Sequence, residues 1–467
     1  TGTVDYHSTG YKKAALTVTI TPVENPTGIS AQSLDQAFTK TLATITFDIS
    51  KELDTTVNSF TYTVGSIEYT DSHGETGTSA LPGKTLPLSA YYQLQASPQV
   101  VGLSSVITVL DRNGAPAAGV TVYLNDSSIG TTDENGKLAT DAMKNMDAGT
   151  VCAISADGPG GVAEQIKVTV LANPFAENQL YRAIHHNAGG EGTQNISWLS
   201  DPVKTTGAVL RYRLPTDTEW TASVSGESTL MAFSTSKNAA RVNSVSLSGL
   251  AEGTYEFQVG DSNSDADNDW SATQTFTVAP VGDSTSFFVM GDTQMSGNRE
   301  NDATSIAILE KLGALLDSKD VDFGLQTGDY VDNGSNYAMW EEIQEVFSAS
   351  FPTVDYIHTL GNHEYYGDAT GAIANKLLQL PGKDYYSVEY GDVYVAVINN
   401  SADLDEACQW LIDDAAESDC TWKVLSIHQP PYYTNATGGS DRFNKAIPAA
   451  ADAAGIDVVF SGHDHSY

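Results

Sequence analysis

Cysteine and basic residues are both scarce in this chain of 467 residues. Its three cysteines, Cys152, Cys408 and Cys420, are too few for a disulfide scaffold and too dispersed for a cysteine-based zinc site. Only 23 Lys and Arg oppose 59 Asp and Glu, which gives a formal net charge of −36. Such a surface repels phosphate polymers, so we expect no long nucleic acid as a partner. Any anionic substrate must be held by a local site.

Long hydrophobic runs are also missing. No stretch of 18 apolar residues occurs, and residues 1–11 have neither the basic start nor the apolar run of a signal peptide. We therefore expect a soluble, already processed or trimmed chain with no membrane span. The length predicts several domains, and a hydrophobic content of 40% allows each of them a core.

The first 280 residues or so read as β structure. Alternating segments such as 16–20 and 43–47 are separated by Gly, Pro, Asn and Asp. A turn-rich gap at 79–97 predicts the end of a β-rich module over residues 1–97. Residues 98–174 predict a second module, with a hairpin formed by 106–110 and 120–124. This second module resembles an immunoglobulin-like or carboxypeptidase-regulatory-like β-sandwich.

A third β module is predicted over residues 175–282. Strand-like segments at 196–198, 209–213, 239–250, 254–260 and 275–278 follow one another with turn residues between them. Their order resembles the fibronectin-type-III-like domain that precedes the catalytic domain of purple acid phosphatases.

The periodicity changes near residue 284. The strand-like segment 287–290 is followed by apolar residues at helical spacing, namely Ile306, Leu309, Leu312, Leu315 and Leu316. Further strands are predicted at 322–327, 354–360, 393–398, 422–427 and 457–460, with helices near Trp340, Leu377, Trp410 and Ala450. The fold class is thus N-terminal all-β sandwich modules followed by an α/β domain over residues 283–467.

Polar residues of a metal-binding kind follow five of these strands. The segments are 291–294 (GDTQ), 328–334 (GDYVDNG), 361–364 (GNHE), 428–430 (HQP) and 462–465 (GHDH). An α/β sheet places its ligands at the carboxyl ends of its strands. A glycine before a ligand lets the backbone turn sharply in a crowded centre. The sequence therefore predicts a metal site built from five loops.

The order of these motifs resembles the calcineurin-like metallophosphoesterase superfamily, and together with the third β module it resembles the purple-acid-phosphatase-like branch. The resemblance covers residues 176–467 and implies a β-sandwich flanked by helices. It implies two divalent metal ions (Mn, Fe or Zn) and a hydroxide between them as nucleophile. One ion would be held by Asp292, Asp329 and His465, and the other by Asp329, Asn362, His428 and His463. His363 would be the catalytic residue that contacts the phosphate.

Two positions depart from that family pattern. Purple acid phosphatases have an iron-ligating tyrosine three residues after the bridging aspartate, where this chain has Asp332. We therefore predict no tyrosinate chromophore. Gln294 stands where relatives have histidine or glycine, and we expect its amide oxygen to be a further ligand of the first metal. An oxygen ligand favours manganese or ferrous iron over zinc.

Several neighbouring residues have more than one interpretation. We expect His358 to be structural and His363 to be oriented by a carboxylate, either Glu364 or Asp332. Arg299 is expected at the surface, with contact to a phosphate as the alternative. Four tyrosines flank two ligand loops and predict either an aromatic wall for a leaving group or core packing: Tyr365, Tyr366, Tyr432 and Tyr433.

These observations predict a secreted or surface phosphoesterase that hydrolyses small organic phosphate monoesters or diesters. Its β modules would contact the cell surface or a polysaccharide. The alternative is a surface adhesion or binding protein with a vestigial phosphoesterase domain, which would show damaged ligand positions. Because the family fold continues beyond the last ligand motif, we also expect the catalytic domain to be incomplete at its C-terminus, with exposed strand edges.

Overall fold

The structure is a computed structural model. It describes residues 59–62, 66–70, 76–80, 84–87 and 92–465, apart from 112, 158–162, 222, 265–268, 279–283, 317–318, 320 and 434–440. The predicted strands at 16–20 and 43–47 lie outside the described residues. The chain divides into two compact units, the first comprising Thr1–Gln95, Ile107–Leu138 and Ala153–Ile166, and the second comprising Ala96–Val106, Ala139–Cys152 and Lys167–Tyr467.

The described elements are mostly strands. The strands that precede the first helix are β1 (Ser59–Tyr62), β2 (Ser66–Thr70), β3 (Thr76–Ala80), β4 (Lys84–Pro87), β5 (Tyr92–Ala96), β6 (Gln99–Val100), β7 (Ser105–Asp111), β8 (Thr121–Leu124), β9 (Ser127–Thr131), β10 (Lys137–Thr140), β11 (Val151–Asp157), β12 (Ala163–Leu171), β13 (Tyr181–Asn187), β14 (Gln194–Ser200), β15 (Val209–Arg213), β16 (Val224–Ser225), β17 (Glu227–Phe233), β18 (Asn238–Leu247), β19 (Gly253–Gly260), β20 (Gln274–Val278) and β21 (Phe287–Met290). Strands and helices then alternate as α1 (Ala303–Leu316), β22 (Phe323–Gln326), α2 (Tyr337–Ser350), β23 (Asp355–His358), α3 (Ala372–Leu377), β24 (Tyr385–Tyr390), β25 (Val393–Ile398), α4 (Leu404–Glu417), β26 (Trp422–Ile427), α5 (Asp441–Ala454) and β27 (Val458–Phe460).

The N-terminal strands differ from the predicted ones. The segment 79–97, predicted to be rich in turns, contains strands β4 and β5, and its place as the end of the first module stays a prediction. The expected hairpin of β7 with β8 is not formed, because β7 pairs with β5 and β10, whereas β8 pairs with β9 and β11. Asn125 and Asp126 adopt φ of 46° and 65° and make the tight turn between β8 and β9. Two left-handed residues in a two-residue turn match the twist of a hairpin.

The N-terminal part of the second unit is a β-sandwich. Strands β13, β14, β17 and β18 lie in one sheet, and β15, β16, β19 and β20 form the other. Their inner faces enclose a core with Trp198, Leu210, Phe257 and Phe276, all with no exposed surface. Alternation of apolar and polar residues along β19 buries Tyr255, Phe257 and Val259 on one face, as a half-buried strand requires.

The C-terminal part consists of two sheets between layers of helices. Strands β23, β22 and β21 are parallel, and so are β25, β26 and β27, with β24 antiparallel at the edge of the second sheet. Along β25, Val393, Val395 and Val397 join the core between the sheets, while the alternate residues Tyr394 and Ala396 join the core with α4 and α5. Both faces of this strand are buried, which explains its continuous apolar sequence.

One seven-stranded sheet joins the β-sandwich to the α/β part, in the order β17-β18-β14-β13-β23-β22-β21. The joint is a parallel pairing of Asn187 with Tyr356, and the Ala188 N–H donates to the Tyr356 carbonyl at 2.8 Å. The β-sandwich therefore extends the sheet that carries the ligand loops. None of the helices in the described ranges has the length and apolarity that a bilayer crossing needs.

Candidate metal centre

The five ligand loops meet at one edge of the two sheets. Asp292 follows β21, Asp329 follows β22 and Asn362 follows β23, while His428 follows β26 and His463 follows β27. Parallel strands expose their carboxyl ends at the same edge, so loops distant in sequence become neighbours.

Left-handed backbone is concentrated at this site. Of the non-glycine residues with positive φ, five are predicted ligands: Asp292 (55°), Gln294 (40°), Asp329 (55°), His463 (74°) and His465 (48°). Such a conformation costs about 1–3 kcal/mol for a residue with a side chain, and it persists only where the surroundings enforce it. The backbone of these loops therefore accepts a local cost in conformational energy that orients the side chains of the predicted ligands.

Gly361 shows why a glycine precedes a ligand here. A Cβ on Gly361 would lie 2.1 Å from Asp329 Oδ1 and 2.7 Å from the Asp329 backbone nitrogen. Only a residue without a side chain lets these two loops approach so closely. This agrees with the predicted role of a glycine at this place.

The first group of ligand atoms surrounds His428, which has no exposed surface. Its Nδ1–H donates to the Thr327 carbonyl at 2.9 Å. This bond leaves Nε2 facing Asp329 Oδ2 at 3.1 Å and Asn362 Oδ1 at 3.2 Å. Ligand atoms of Asp329, His428 and His463 all lie within 4.8 Å of one another.

The second group surrounds Asp292. Its Oδ1 accepts from the His463 N–H at 2.8 Å and lies 3.3 Å from His465 Nε2. Gln294 contacts the first group, because its Nε2 donates to Asp329 Oδ2 at 3.3 Å. That the two groups hold two ions with Asp329 between them stays a prediction.

His363 lies beside both groups. Its Nδ1–H donates to the Asp332 backbone carbonyl at 3.0 Å, so its Nε2 is turned to the site, where it lies 3.1 Å from Gln294 Nε2. The Asp332 carboxylate lies 3.9 Å from the same Nδ1. Of the two carboxylate residues expected to orient His363, Asp332 therefore contacts its ring, mainly through the main chain.

Glu364 has a different role from the one we expected. Its buried carboxylate accepts the backbone N–H groups of Asp329 at 3.0 Å, Tyr330 at 2.8 Å and Gly361 at 2.7 Å. It binds together the loops after β22 and β23 instead of orienting His363. Glu364 stands next to His363 in the sequence, but no local pattern indicates main-chain partners 34 and 35 residues away.

Burial and neighbouring charge shift the pKa values in the site. Burial raises the pKa of Asp292. Burial would also raise the pKa of Asp329, but the hydrogen bond and charge of His428 outweigh it and the pKa is lowered. Correspondingly, burial opposes the charged form of His428, yet Asp329 raises its pKa. Burial, followed by the charge of His428, lowers the pKa of His463.

The donor set fits two divalent ions. Two carboxylates, three imidazoles and one or two amide oxygens are the ligands that manganese, iron and zinc accept in proteins. The bond from His428 Nδ1 to a main-chain carbonyl fixes the tautomer whose Nε2 can bind a metal, which is the usual support of a ligating histidine.

The flanking residues differ in position. His358 is buried, its Nε2 contacts Asn187 Oδ1 at 2.8 Å, and it belongs to the core, as we expected. Tyr365 packs against the core, whereas Tyr366, Tyr432 and Tyr433 are exposed. Arg299 forms an exposed ion pair with Glu345 at 3.0 Å, as befits a surface residue.

Comparison with known families agrees with this geometry. Residues 285–467 match the calcineurin-like phosphoesterase family. Residues 182–278 match the purple acid phosphatase N-terminal domain. The chain therefore contains a calcineurin-like phosphoesterase domain preceded by a purple acid phosphatase N-terminal domain. These two matches confirm the resemblance seen in the sequence and the predicted fold class.

Two curated relatives and one solved structure illustrate the family likeness. Purple acid phosphatase 22 of Arabidopsis thaliana is 27% identical over 172 residues, which cover 32% of this chain and 40% of the relative. Purple acid phosphatase 17 of the same plant is 23% identical over 219 residues, covering 39% and 62%. The chain thus spans less than two thirds of either relative. A purple acid phosphatase from yellow lupin (Lupinus luteus) seeds shares the fold, with a TM-score of 0.53, 13% identity and 81% of each chain covered.

Proposed function

We propose that this protein is a phosphoesterase that hydrolyses small organic phosphate monoesters or diesters with two divalent metal ions. The observation that carries the proposal is the convergence of Asp329, His428 and His463, whose ligand atoms lie within 4.8 Å of one another next to His363. The net charge of −36 does not attract phosphates to the chain, so a local metal charge explains how an anion is held.

Seven side chains would hold the ions. Asp292, Gln294, Asp329 and His465 would bind one, and Asp329, Asn362, His428 and His463 the other. When bound, the ions supply charge for the phosphoryl oxygens and a water of lowered pKa as nucleophile. Their identity is proposed as manganese, iron or zinc. Because Asp332 replaces the iron-ligating tyrosine, the absence of a tyrosinate chromophore stays a prediction.

His363 would act on the ester itself. Its Nδ1–H is engaged by the Asp332 carbonyl, which fixes the ring and leaves Nε2 as the atom that faces the site. In the imidazolium form, Nε2–H would donate to the phosphate or pass its proton to the departing oxygen. Asp329 Oδ1 supports this placement by accepting the His363 backbone N–H at 3.0 Å.

The alternative of a vestigial domain predicts substituted or scattered ligands. The predicted ligand positions instead carry side chains of a metal-binding kind, and the closeness of Asp329, His428 and His463 and of Asp292 and His465 supports intact sites. We propose contact with the cell surface or a polysaccharide as an additional role of the β modules. The protein would then act outside the cell or at its surface.

The test is hydrolysis of phenyl phosphate and diphenyl phosphate by the chain reconstituted with manganese, iron or zinc. Turnover that depends on metal and is lost on chelation supports the proposal, and the preferred ester assigns the subclass. Metal binding without turnover of either ester would contradict it.

A further inference from the structure

Tyr366 stands out because it contacts two parts of the proposed site and still exposes 48% of its surface. It directly follows the short 3-10 helix His363–Tyr365, and its backbone N–H donates to the His363 carbonyl at 3.1 Å. This turn fixes the Tyr366 side chain at the rim of the site. No charge or burial requirement explains why a large aromatic residue is exposed at this place.

The hydroxyl of Tyr366 contacts Asn362, one of the side chains proposed to bind a metal ion. Asn362 Nδ2 donates to Tyr366 Oη at 3.0 Å. Since the two ends of an amide point in opposite directions, this bond turns Asn362 Oδ1 towards His428 Nε2, which lies 3.2 Å away. Oδ1 is the only Asn362 side-chain atom that can bind a metal ion, and the tyrosine hydroxyl selects it.

The ring of Tyr366 lies beside His363. Their centroids are 4.7 Å apart and the planes are inclined at 49°. A group that leaves the phosphate next to His363 Nε2 therefore departs within reach of the exposed part of this ring. Arg299, the cation of the neighbouring ligand loop, is paired with Glu345. The exposed part of the Tyr366 ring thus offers the leaving group an aromatic contact.

We propose that Tyr366 is both a positioning residue for Asn362 and a specificity residue that favours esters with a flat aromatic leaving group, such as aryl phosphates and nucleotides. This inference rests on the proposed function and names its substrate class. Offset or edge-to-face contact between aromatic rings accounts for about a 2- to 10-fold preference over an alkyl group of similar size.

The two roles are separable by substitution. Tyr366→Phe removes the hydroxyl and keeps the ring, whereas Tyr366→Leu removes both. The exposed Tyr432, which follows the His428 loop, supplies the matched control as Tyr432→Leu. Thermal unfolding of each variant shows that the fold is kept.

The first measurement is manganese binding by isothermal titration calorimetry without substrate. Both Tyr366 variants are expected to bind manganese about 3- to 10-fold more weakly than the original chain, because Asn362 loses its orienting bond. Tyr432→Leu is expected to bind normally. Unchanged affinity in Tyr366→Phe would overturn the positioning role.

The second measurement is kcat/KM for phenyl phosphate and for glycerol 2-phosphate at saturating manganese. Expressing each variant relative to the original chain removes the different intrinsic reactivities of the two esters. In Tyr366→Leu, kcat/KM should fall about 2- to 10-fold more for phenyl phosphate than for glycerol 2-phosphate, mainly because KM rises. In Tyr366→Phe, kcat/KM should fall by the same factor for both esters.

An equal loss on both esters in Tyr366→Leu, or a selective loss in Tyr432→Leu instead, would overturn the specificity role while leaving the proposed function intact. A chain that binds manganese but hydrolyses neither ester would overturn the proposed function, and this inference with it.

Discussion

Glu364 holds the backbone of Asp329 in place: its Oε2 accepts the Asp329 N–H at 3.0 Å, and the same oxygen accepts the Gly361 N–H at 2.7 Å. The fully buried carboxylate of Glu364 thus accepts hydrogen bonds from the main chain of two ligand loops. Burial, followed by the charge of Asp329, raises its pKa to about 7. The site therefore depends on a residue that offers no atom to the substrate.

Glu364→Gln replaces one acceptor oxygen by a donor and should weaken metal binding. Loss of support around a ligand typically costs about 10- to 100-fold in metal affinity. Manganese titration calorimetry measures the effect. Glu345→Gln, which changes an exposed carboxylate, is the control and should leave the affinity unchanged. Equal affinities in the two variants would show that the Glu364 bonds do not shape the site.

Gly361→Ala tests the close approach of the two loops. The new Cβ would lie 2.1 Å from Asp329 Oδ1, so we expect a loss of about 1–3 kcal/mol in unfolding free energy and weaker metal binding. At Gly455 a new Cβ meets no atom within 4 Å, although φ is +69° there. Gly455→Ala should therefore cost stability without changing metal affinity. Normal metal affinity in Gly361→Ala would refute the crowding argument.

Gln294 is predicted to bind the first metal through its amide oxygen. Gln294→Ala should lower manganese affinity by about 10-fold, and Gln294→Glu, which keeps an oxygen ligand, should restore it. The exposed Gln409→Ala on α4 is the control. If Gln294→Ala binds the same number of ions with the same affinity as the original chain, Gln294 is not a ligand.

Asp355 gives a pH-dependent prediction away from the metal site. Burial raises its pKa to about 7, although a hydrogen bond from Gln194 opposes the shift. His186 Nδ1 lies 4.0 Å away, but burial lowers the pKa of His186 to about 4, so this histidine is neutral above that pH. Asp355 is therefore protonated in the folded protein and ionised in the unfolded chain between about pH 4 and 7.

In this pH window the folded state binds one more proton than the unfolded chain. The contribution of Asp355 to the free energy of unfolding therefore decreases as pH rises through the window. Asp355→Asn should remove this dependence. The melting temperature of the variant minus that of the original chain should become more positive from pH 5 to pH 8. Asp419→Asn, at an exposed position, should show a constant difference, and the same constant difference in Asp355→Asn would contradict the assignment.

Local sequence patterns predicted the α/β part well. Strand β21 at 287–290 and the helix through Ile306 and Leu309 followed from periodicity. A glycine before a polar residue marked four of the five loops at the strand ends, all but the loop of His428. Strand β24 was not predicted, although the buried residues Tyr386, Val388 and Tyr390 alternate with Ser387 and Glu389, so a signal for a half-buried strand was present. The family resemblance, not the spacing of the motifs, supplied the assignment of ligands to two ions.

Strand pairings between segments distant in sequence could not be predicted from such local patterns. The pairing of Asn187 with Tyr356 joins segments more than 160 residues apart, and neither residue marks it locally. The hairpin predicted for β7 and β8 failed for a related reason. The turn after β7 is real, since Asp111 Oδ1 accepts the Asn113 and Ala115 N–H groups, but the chain then enters a different sheet.

The most direct test of the account is hydrolysis of p-nitrophenyl phosphate and its bis ester by the original chain and by His428→Ala, each with manganese, iron or zinc. His428 is fully buried and contacts both Asp329 and Asn362, so its loss should remove a metal ligand. We predict metal-dependent turnover that falls at least about 100-fold in His428→Ala together with loss of bound metal. Equal turnover in both proteins would contradict the two-metal site.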